Sequence, residues 1–341
     1  MTYDELRLRR IVGQHLVTRV PKQEVVHDLC GVQAQFMTNA VHALRIRSSD
    51  FDEGSVGDGL VKNWTIRGTV HVFAENDLPL FKHNGGQAYR SLDFPDWRNF
   101  PLERRRYFSQ LIIEAVSISP KSRDELKALC RENGMNETEF ELMFDQWGGC
   151  LRDLCERGFM NYAVCRDKIY AASPIFVPMD EKAARLEMAR RYFTHFAPAS
   201  VHDAMYFFGT TMRQVKEWLN ELPVTSFECD GKTYYGIENG TEYDVNMPDC
   251  IFLAGFDQLM LGYKKTESPF IDPSHIRGIF NLAGIVMPAV LLRGRVVGRW
   301  KKAAKKLTVT LFDNIPKRDI DIIEINARSM WNEITGIEYI R

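Results

Sequence analysis

A repeated order of secondary-structure elements limits the folds open to this chain of 341 residues. Apolar residues spaced as in helices, followed by the alternation typical of strands, occur over residues 1–73, again over 104–172 and a third time over 181–237. In each region the pattern predicts three helices and then a β element, which is the order of a winged helix. A repeated unit indicates a tandem array. The sequence therefore predicts three tandem winged helices.

Turn and cap residues support the second and third repeats. Asp230-Gly231 lies between two alternating apolar stretches, and this dipeptide is typical of a tight β-hairpin. Ser122 and Ser200 each precede the second helix of their unit. A serine at that position accepts hydrogen bonds from the free N–H groups at a helix start, so both are predicted N-caps.

Residues 64–73 of the first repeat leave two alternatives open. A continuous strand would place Arg67, Thr69 and His71 on one face. Alternatively, Arg67-Gly68 turns a hairpin. Either alternative supplies the β element that a winged helix requires.

From about residue 244 the sequence changes character. A closing helix is predicted over residues 325–334. Strand or mixed segments are predicted before it, at residues 251–263, 286–292, 295–300, 306–312 and 320–325. These segments predict a small β-rich, barrel-like domain. The expected fold class is therefore α+β, with three winged helices and this domain at residues 1–103, 104–178, 179–243 and 244–341.

Composition excludes several classes of protein. The seven cysteines have no CxxC spacing and no paired histidines, which favours reduced thiols over a zinc site. The amino terminus is charged and no apolar run is long enough to span a bilayer, so we expect a cytoplasmic protein without a membrane partner. The formal net charge of -1 predicts no nucleic-acid partner by itself. However, the run from Arg293 to Lys306 contains seven basic residues and no acid, and it is either a phosphate-binding stripe or a solvated face.

Gln33 and Gln35 are the residues in which we expect chemistry. They flank Ala34 just after a helix predicted to end near Gly31, in a chain with no obvious nucleophile, metal cluster or phosphate loop. Glutamine does not serve as a general base, but its amide can hold a water molecule in attack geometry. Two residues spaced i, i+2 point the same way only in an extended segment. The alternative is that both are ordinary surface side chains.

Four segments stand out in this order: Leu29 to Gln35 with Ala43 to Arg47, Trp64 to Val72, Phe256 to Tyr263, and Pro288 to Trp300. Together they resemble segments of the bacterial winged-helix DNA glycosylases of the AlkZ/YcaQ type. That family combines three tandem winged helices with a C-terminal β-barrel and carries a Gln-x-Gln or Gln-x-Asp motif. Because Gln35 stands at the second motif position, the chain is closer to the Gln-x-Gln branch. One departure is Lys264-Lys265, where the family often has an arginine.

The resemblance implies a monofunctional DNA glycosylase that removes purines alkylated at N7 or N3. Unhooking of interstrand crosslinks is a further activity associated with the Gln-x-Gln branch. Gln33 and Gln35 would hold the attacking water and stabilise the sugar cation, with Gln33 expected to be the more important. No lysine lies in the motif to form a Schiff base, so we expect hydrolysis without metal or cofactor. The expected partner is double-stranded DNA carrying alkylated bases or crosslinks, and the expected state is a monomer.

The resemblance also implies roles for residues outside the motif. Asp257 and Tyr263 are expected to be structural or to support the site, and a buried structural carboxylate is an open alternative for Asp257. His71 is either a DNA contact or a satisfied strand histidine. The candidate DNA contacts are Arg67, Thr69, His71, Arg299, Lys301 and Lys302.

Two other function classes stay open at this point. Tandem winged helices without catalysis would serve as a regulator or structural DNA-binding protein, and that class has no need of the glutamine pair. A protein-interaction scaffold is compatible with the neutral net charge, but steep loss of DNA affinity with salt would count against it.

Overall fold

A computed structural model describes residues 1–83, 90–145 and 148–340, a mixture of α and β elements as predicted. The helices are α1 Tyr3–Gly13, α2 Lys22–Asp28, α3 Met37–Arg45, α4 Leu78–Phe81, α5 Leu102–Ile118, α6 Arg123–Glu132, α7 Glu137–Met143, α8 Gly149–Glu156, α9 Glu181–His195, α10 Val201–Phe208, α11 Met212–Glu221, α12 Gln258–Leu261, α13 Ile276–Ile279 and α14 Lys317–Met330. The strands are β1 Val32–Gln33, β2 Leu60–Trp64, β3 Val70–Ala74, β4 Asp96–Trp97, β5 Phe100–Pro101, β6 Lys121–Ser122, β7 Met160–Tyr162, β8 Ile169–Ala172, β9 Thr225–Cys229, β10 Lys232–Gly236, β11 Cys250–Phe252, β12 Ala289–Leu292, β13 Arg295–Ala303, β14 Lys306–Leu311 and β15 Gly336–Ile340.

The chain divides into two compact units. Unit 1 consists of Met1–Gln33, Asn39–Phe51 and Ala189–Arg341, and unit 2 consists of Ala34–Thr38 and Asp52–Met188. This division is coarser than the four predicted domains, whose boundaries remain a prediction.

Five strands of unit 2 form an antiparallel sheet in the order β3-β2-β7-β8-β6. The first two strands are a hairpin in which Trp64 lies opposite Val70. Of the two alternatives for residues 64–73, the hairpin is therefore the one found. Its turn is a short 3-10 helix, Ile66–Gly68, in which Arg67 has a φ of 58°. The main core of unit 2 includes Phe108 and the buried cysteines Cys130, Cys150 and Cys155, as expected for small apolar residues.

The C-terminal part of unit 1 is a five-stranded sheet in the order β11-β12-β13-β14-β15. The β14–β15 pair is parallel and the other pairs are antiparallel. Since β11 and β15 are its edges, the sheet is open, and no closed barrel is found among the residues that the structure describes. Helix α14 packs on the sheet through Ile323 and Ala327. The prediction of a strand at residues 320–325 was wrong, because these residues lie within α14.

Two predicted turn and cap signals are confirmed. Asp230 and Gly231 have φ angles of 51° and 70° and join β9 to β10 in a tight hairpin. Ser122 and Ser200 cap α6 and α10, and in both caps the carboxylate of the third helical residue accepts a hydrogen bond from the serine N–H.

The apolar pattern of the second repeat predicts that its third helix runs without a break over residues 137–157, and this prediction was wrong. The structure has two helices there, α7 and α8, with Gly148 and Gly149 at φ angles of 139° and 52°. A Cβ at Gly149 would lie 2.3 Å from the Leu142 carbonyl oxygen, so only glycine fits at this close approach.

The segment before the glutamines has the predicted break from helix. Helix α2 ends at Asp28, Cys30 and Gly31 take left-handed φ angles of 54° and 85°, and β1 is extended.

No helix among the described residues combines the length and apolarity that a bilayer crossing requires.

Candidate active site

The two glutamines of the motif differ in accessibility. Gln33 closes β1 in unit 1, is 6% exposed, and makes no side-chain hydrogen bond with any described residue. Gln35 belongs to unit 2 and is exposed. Ala34 lies between the two glutamines in the sequence, and its N–H donates to the Val70 carbonyl at 2.8 Å. This hydrogen bond holds the first residue of the unit 2 segment Ala34–Thr38 on the β2–β3 hairpin.

Gln35 lines a cavity of about 620 Å³ in unit 2. A cavity of this size is typical of a small-molecule site. No carboxylate is among its described lining residues, whereas four cations are. The lining consists of Ala34, Gln35, Met37, Lys62, Trp64, Gly68, Thr69, Val70, Arg152, Tyr162, Arg166 and Lys168.

Trp64 and Arg152 form one wall of the cavity. The Arg152 guanidinium lies 3.8 Å from the centroid of the Trp64 ring, and its Nε donates to Glu156 Oε1 at 2.7 Å. The Trp64 indole N–H donates to the Tyr162 hydroxyl at 3.2 Å. These contacts fix two aromatic rings and one cation, which are groups that stack on nucleobases.

Two lysines hold backbone carbonyls around the same wall. Lys62 Nζ donates to the Cys165 carbonyl at 2.6 Å, and burial lowers its pKa. Lys82 Nζ donates to the Trp64 carbonyl at 2.6 Å. Burial lowers the pKa of Lys82 to about 7, while the neighbouring Cys155 and Glu156 oppose that shift. The cavity therefore contains a lysine, Lys62, although the Gln-x-Gln motif itself contains none.

His71 is fully buried beneath the hairpin turn. Its Nδ1 lies 2.8 Å from Thr65 Oγ1 and 3.2 Å from the Thr69 carbonyl, and its Nε2 lies 3.3 Å from Arg67 Nη2. Since arginine can only donate, Nε2 is the acceptor and Nδ1 carries the proton. Burial, reinforced by Arg67, lowers the pKa of His71 to about 3, so the ring is neutral. The structure thus places His71 where it orients the turn bearing Arg67 and Thr69.

A comparison with models of protein families gives a match over most of the chain. The family model described as DNA glycosylase AlkZ-like matches residues 26–329. The chain belongs to the AlkZ-like DNA glycosylase family. It is accordingly an enzyme, a DNA glycosylase that acts on N-glycosyl bonds.

Two further comparisons are with DNA glycosylases of Streptomyces sahachiroi, one by sequence and one by structure. The chain is 25% identical over 339 residues to the interstrand DNA cross-link repair glycosylase of Streptomyces sahachiroi, with 91% of this chain and 90% of the relative covered. The solved structure of Streptomyces sahachiroi DNA glycosylase AlkZ has a similar fold, with a TM-score of 0.79 at 20% identity over 99% of both chains.

In this AlkZ-like chain, Asp257 is a buried structural carboxylate. It accepts two hydrogen bonds from Arg47, at 2.7 and 3.0 Å, and one from the Leu259 N–H at the start of α12. The next residue, Gln258, donates from Nε2 to the Gly31 carbonyl. The Phe-Asp-Gln-Leu block therefore anchors the backbone just before Gln33, and Gln258 is a supporting residue that the sequence analysis missed.

Tyr263 is also buried and supports unit 1. Its hydroxyl donates to the Phe196 carbonyl and accepts from Gln14, both at 3.0 Å. The Arg10 guanidinium lies 3.7 Å from the centroid of its ring. The supporting role of Tyr263 at the site stays a prediction.

The basic run lies mainly on β13 and β14 of unit 1. Lys302 is half-buried and pairs with Glu333 at 2.7 Å. Arg299 and Lys301 lie on the opposite face of the strand, and neither has an ion-pair partner within the described part of the chain. Of the three predicted phosphate contacts, these two are the more available.

Cavity residues contributed by distant strands and helices were not predicted individually. Lys62, Arg152, Tyr162, Arg166 and Lys168 reach the cavity through the pairing of β2 with β7 and the packing of α8. No local motif marks them. The one available signal was Trp64, which stood in a matching segment but had been given no role.

Proposed function

We propose that this protein is a monofunctional DNA glycosylase for purines alkylated at N7 or N3, and that it unhooks interstrand crosslinks built on such adducts. The observation that carries this proposal is the exposed Gln35 amide in a cavity lined by cations and aromatic rings. The relative named as an interstrand cross-link repair glycosylase supports the crosslink activity.

The cavity suits an alkylated purine in duplex DNA. The rings of Trp64 and Tyr162 supply surfaces on which a base can stack. Lys62, Arg152 and Lys168 supply positive charge for the phosphates next to the lesion. An alkylated purine leaves as a neutral base, so departure needs no strong acid. We therefore propose that the enzyme contributes mainly by positioning water and by stabilising the cationic sugar.

In this proposal the Gln35 amide stabilises the sugar cation and the Gln33 amide positions the water. An amide oxygen can face the developing sugar cation or accept a hydrogen bond from the attacking water. The exposure of Gln35 supports direct contact with the lesion. The buried Gln33 amide has no side-chain hydrogen bond to a described residue, which leaves its oxygen available for a water molecule. Arg67 and Thr69 contact DNA beside the lesion, and His71 acts through them.

The proposal also includes the three tandem winged helices and a monomeric state. The order of helices and hairpins in α5 to β8 and in α9 to β10 supports the winged-helix assignment. Arg299 and Lys301 of β13 would meet DNA phosphates.

A single-turnover assay tests the catalytic proposal. The substrate is a labelled duplex with one N7-methylguanine, followed by alkaline cleavage of abasic sites. We expect cleavage by the wild type and a loss of about 10²- to 10³-fold in rate for Gln35→Ala, with unchanged affinity in a gel shift. Gln110→Ala is the matched control, because Gln110 is an exposed glutamine of unit 2 on helix α5, outside the cavity.

Two outcomes would overturn parts of the proposal. Equal rates for wild type and Gln35→Ala would place the chemistry elsewhere. Borohydride trapping of a covalent enzyme–DNA adduct that disappears in Lys62→Met would replace the monofunctional mechanism with a Schiff base on Lys62. If neither the methylated nor a crosslinked duplex is cleaved, the proposed class of lesion is wrong.

A further inference from the structure

A second cluster of polar side chains lies in unit 1. His15 Nε2 lies 2.8 Å from Asp28 Oδ2, and His195 Nε2 lies 3.3 Å from Asp28 Oδ1. The three potential ligand atoms lie within 4.8 Å of one another. The three side chains are 11 to 15% exposed, so the cluster is mostly enclosed but reachable from solvent.

The cluster forms where three helices end. His15 follows the end of α1 and takes a left-handed φ of 59°, Asp28 is the last residue of α2, and His195 is the last residue of α9. The C-terminal end of a helix carries partial negative charge and favours a nearby cation. Three such ends around one carboxylate therefore form an electrostatically favourable place for a positive ion.

Asp28 differs from the other buried carboxylates of unit 1. Asp203 pairs with Arg10, and Asp257 pairs with Arg47. Asp28 has no arginine or lysine partner among the residues the structure describes, and its two ion-pair contacts are to the imidazoles of His15 and His195. A mostly buried carboxylate is costly unless it is paired or coordinates a metal. A bound cation would therefore stabilise Asp28.

The ligand set matches a zinc site. Two imidazole nitrogens and one carboxylate, with a water as the fourth ligand, form a known zinc coordination set. With metal–ligand bonds of about 2.0 to 2.1 Å, a tetrahedral site has ligand atoms roughly 3.3 Å apart, close to the His195–Asp28 contact. Small rotations of the side chains would bring all three donors to one ion.

We propose that His15, Asp28 and His195 bind one Zn²⁺ ion, which joins the ends of α1, α2 and α9. The ion takes no part in the proposed hydrolysis. Because Asp28 precedes Gln33 by only five residues, the ion also fixes the start of the glutamine segment. Spacing in the sequence did not indicate this site, since residue 195 is far from residues 15 and 28.

Binding of Zn²⁺ to chelator-treated, tag-free full-length protein tests the proposal. Competition with a chromophoric chelator should show one equivalent bound at micromolar affinity or tighter. His15→Ala, Asp28→Asn and His195→Ala should each weaken binding at least about 10-fold. Saturating Zn²⁺ should raise the melting temperature of the wild type by about 3 °C or more and leave Asp28→Asn unchanged.

His275→Ala is the matched control, because His275 contacts a single carboxylate, Asp313, at 3.4 Å. It should bind Zn²⁺ as the wild type does. Substitution with Co²⁺ distinguishes this site from the cysteines, since thiolate ligands give an intense near-ultraviolet band that a histidine and carboxylate site lacks. Binding weaker than 100 μM, equal binding by the three variants, or a thiolate band would each overturn the proposal and leave a hydrogen-bonded His–Asp–His chain.

Discussion

In unit 1, the buried guanidinium groups of Arg10 and Arg47 lie against the carboxylates of Asp203 and Asp257. In unit 2, Lys62, Arg152, Arg166 and Lys168 surround a cavity whose described lining contains no carboxylate. Arg152 and Arg166 do contact Glu156 and Glu53, but those carboxylates lie outside the lining. In unit 1 the buried opposite charges neutralise each other inside the protein. In unit 2 positive charge faces the opening of the cavity.

This difference distinguishes charged side chains that support the fold from charged side chains that can bind a ligand. A closed pair such as Arg47 and Asp257 fixes the backbone of α3 and α12 but has little capacity left for a ligand. A cation at a cavity that lacks acids can meet an external anion, and DNA phosphate is the anion that a DNA glycosylase encounters. The predictions below alter one arrangement or the other.

The largest expected effect comes from breaking a closed pair. Asp257→Ala leaves the charge of Arg47 buried without a carboxylate, although its hydrogen bonds to the Gln14 and Ala43 carbonyls remain, and removes the cap of α12. The free energy of unfolding should therefore fall by about 3 to 5 kcal/mol. Urea unfolding followed by circular dichroism measures the change. The double variant Arg47→Met, Asp257→Leu should recover most of the loss. A cost below about 1 kcal/mol for the single variant would show that the pair contributes little.

The next effect concerns the pH dependence of Lys82 in unit 2. Burial lowers its pKa from 10.5 to about 7, so between pH 7 and 10 the unfolded chain binds more protons than the folded protein. The free energy of unfolding contributed by this group therefore rises with pH in that window. Urea unfolding at pH 7, 8 and 9 should show the wild type gaining stability relative to Lys82→Met, by up to about 1 kcal/mol per pH unit. A constant difference would mean that Lys82 titrates normally.

A smaller effect is expected from the aromatic wall of the cavity. Trp64→Leu removes a stacking surface and should weaken binding of the methylated duplex by about 10-fold in a fluorescence anisotropy titration. Trp97→Leu is the control, because Trp97 packs against the same core as Trp64 without lining the cavity. Equal losses for both variants would attribute the effect to folding instead of to base contact.

The smallest expected effect is a difference in the salt dependence of DNA binding between variants of two lysines on β13. Lys301→Gln should reduce the slope of log K against log salt concentration by about 0.9, the value for one lost phosphate contact. Lys302→Gln should change the slope less, because Lys302 already pairs with Glu333. Titrations at four salt concentrations measure both. No change for either variant would exclude this strand from the DNA interface.

Local signals made much of the fold predictable. Asp230-Gly231 and the capping serines Ser122 and Ser200 identified their turn and helix starts, because backbone geometry at those sites depends on residues close in sequence. Residues 320–325 were misassigned because isoleucines alternating with acids imitate a strand. In the structure, Ile323 and Ala327 are one helical turn apart and pack on the C-terminal sheet.

The candidate site was predictable only where a motif carries it. Gln35 and Thr69 were predicted and both line the cavity. Arg152 and Lys62 could not be assigned from sequence, because strand pairing and helix packing bring them to the cavity from positions 90 residues apart in the chain. Burial of His71 was likewise a tertiary property, set by the turn that folds over it.

The most direct test of the account uses a duplex with a pyrrolidine abasic analogue, whose cationic ring imitates the sugar in the transition state. The wild type should bind this duplex at least about 10-fold more tightly than one with a neutral tetrahydrofuran analogue. Gln35→Ala should lose most of that preference while binding undamaged duplex as the wild type does. Full preference in Gln35→Ala would contradict the claim that the Gln35 amide stabilises the sugar cation.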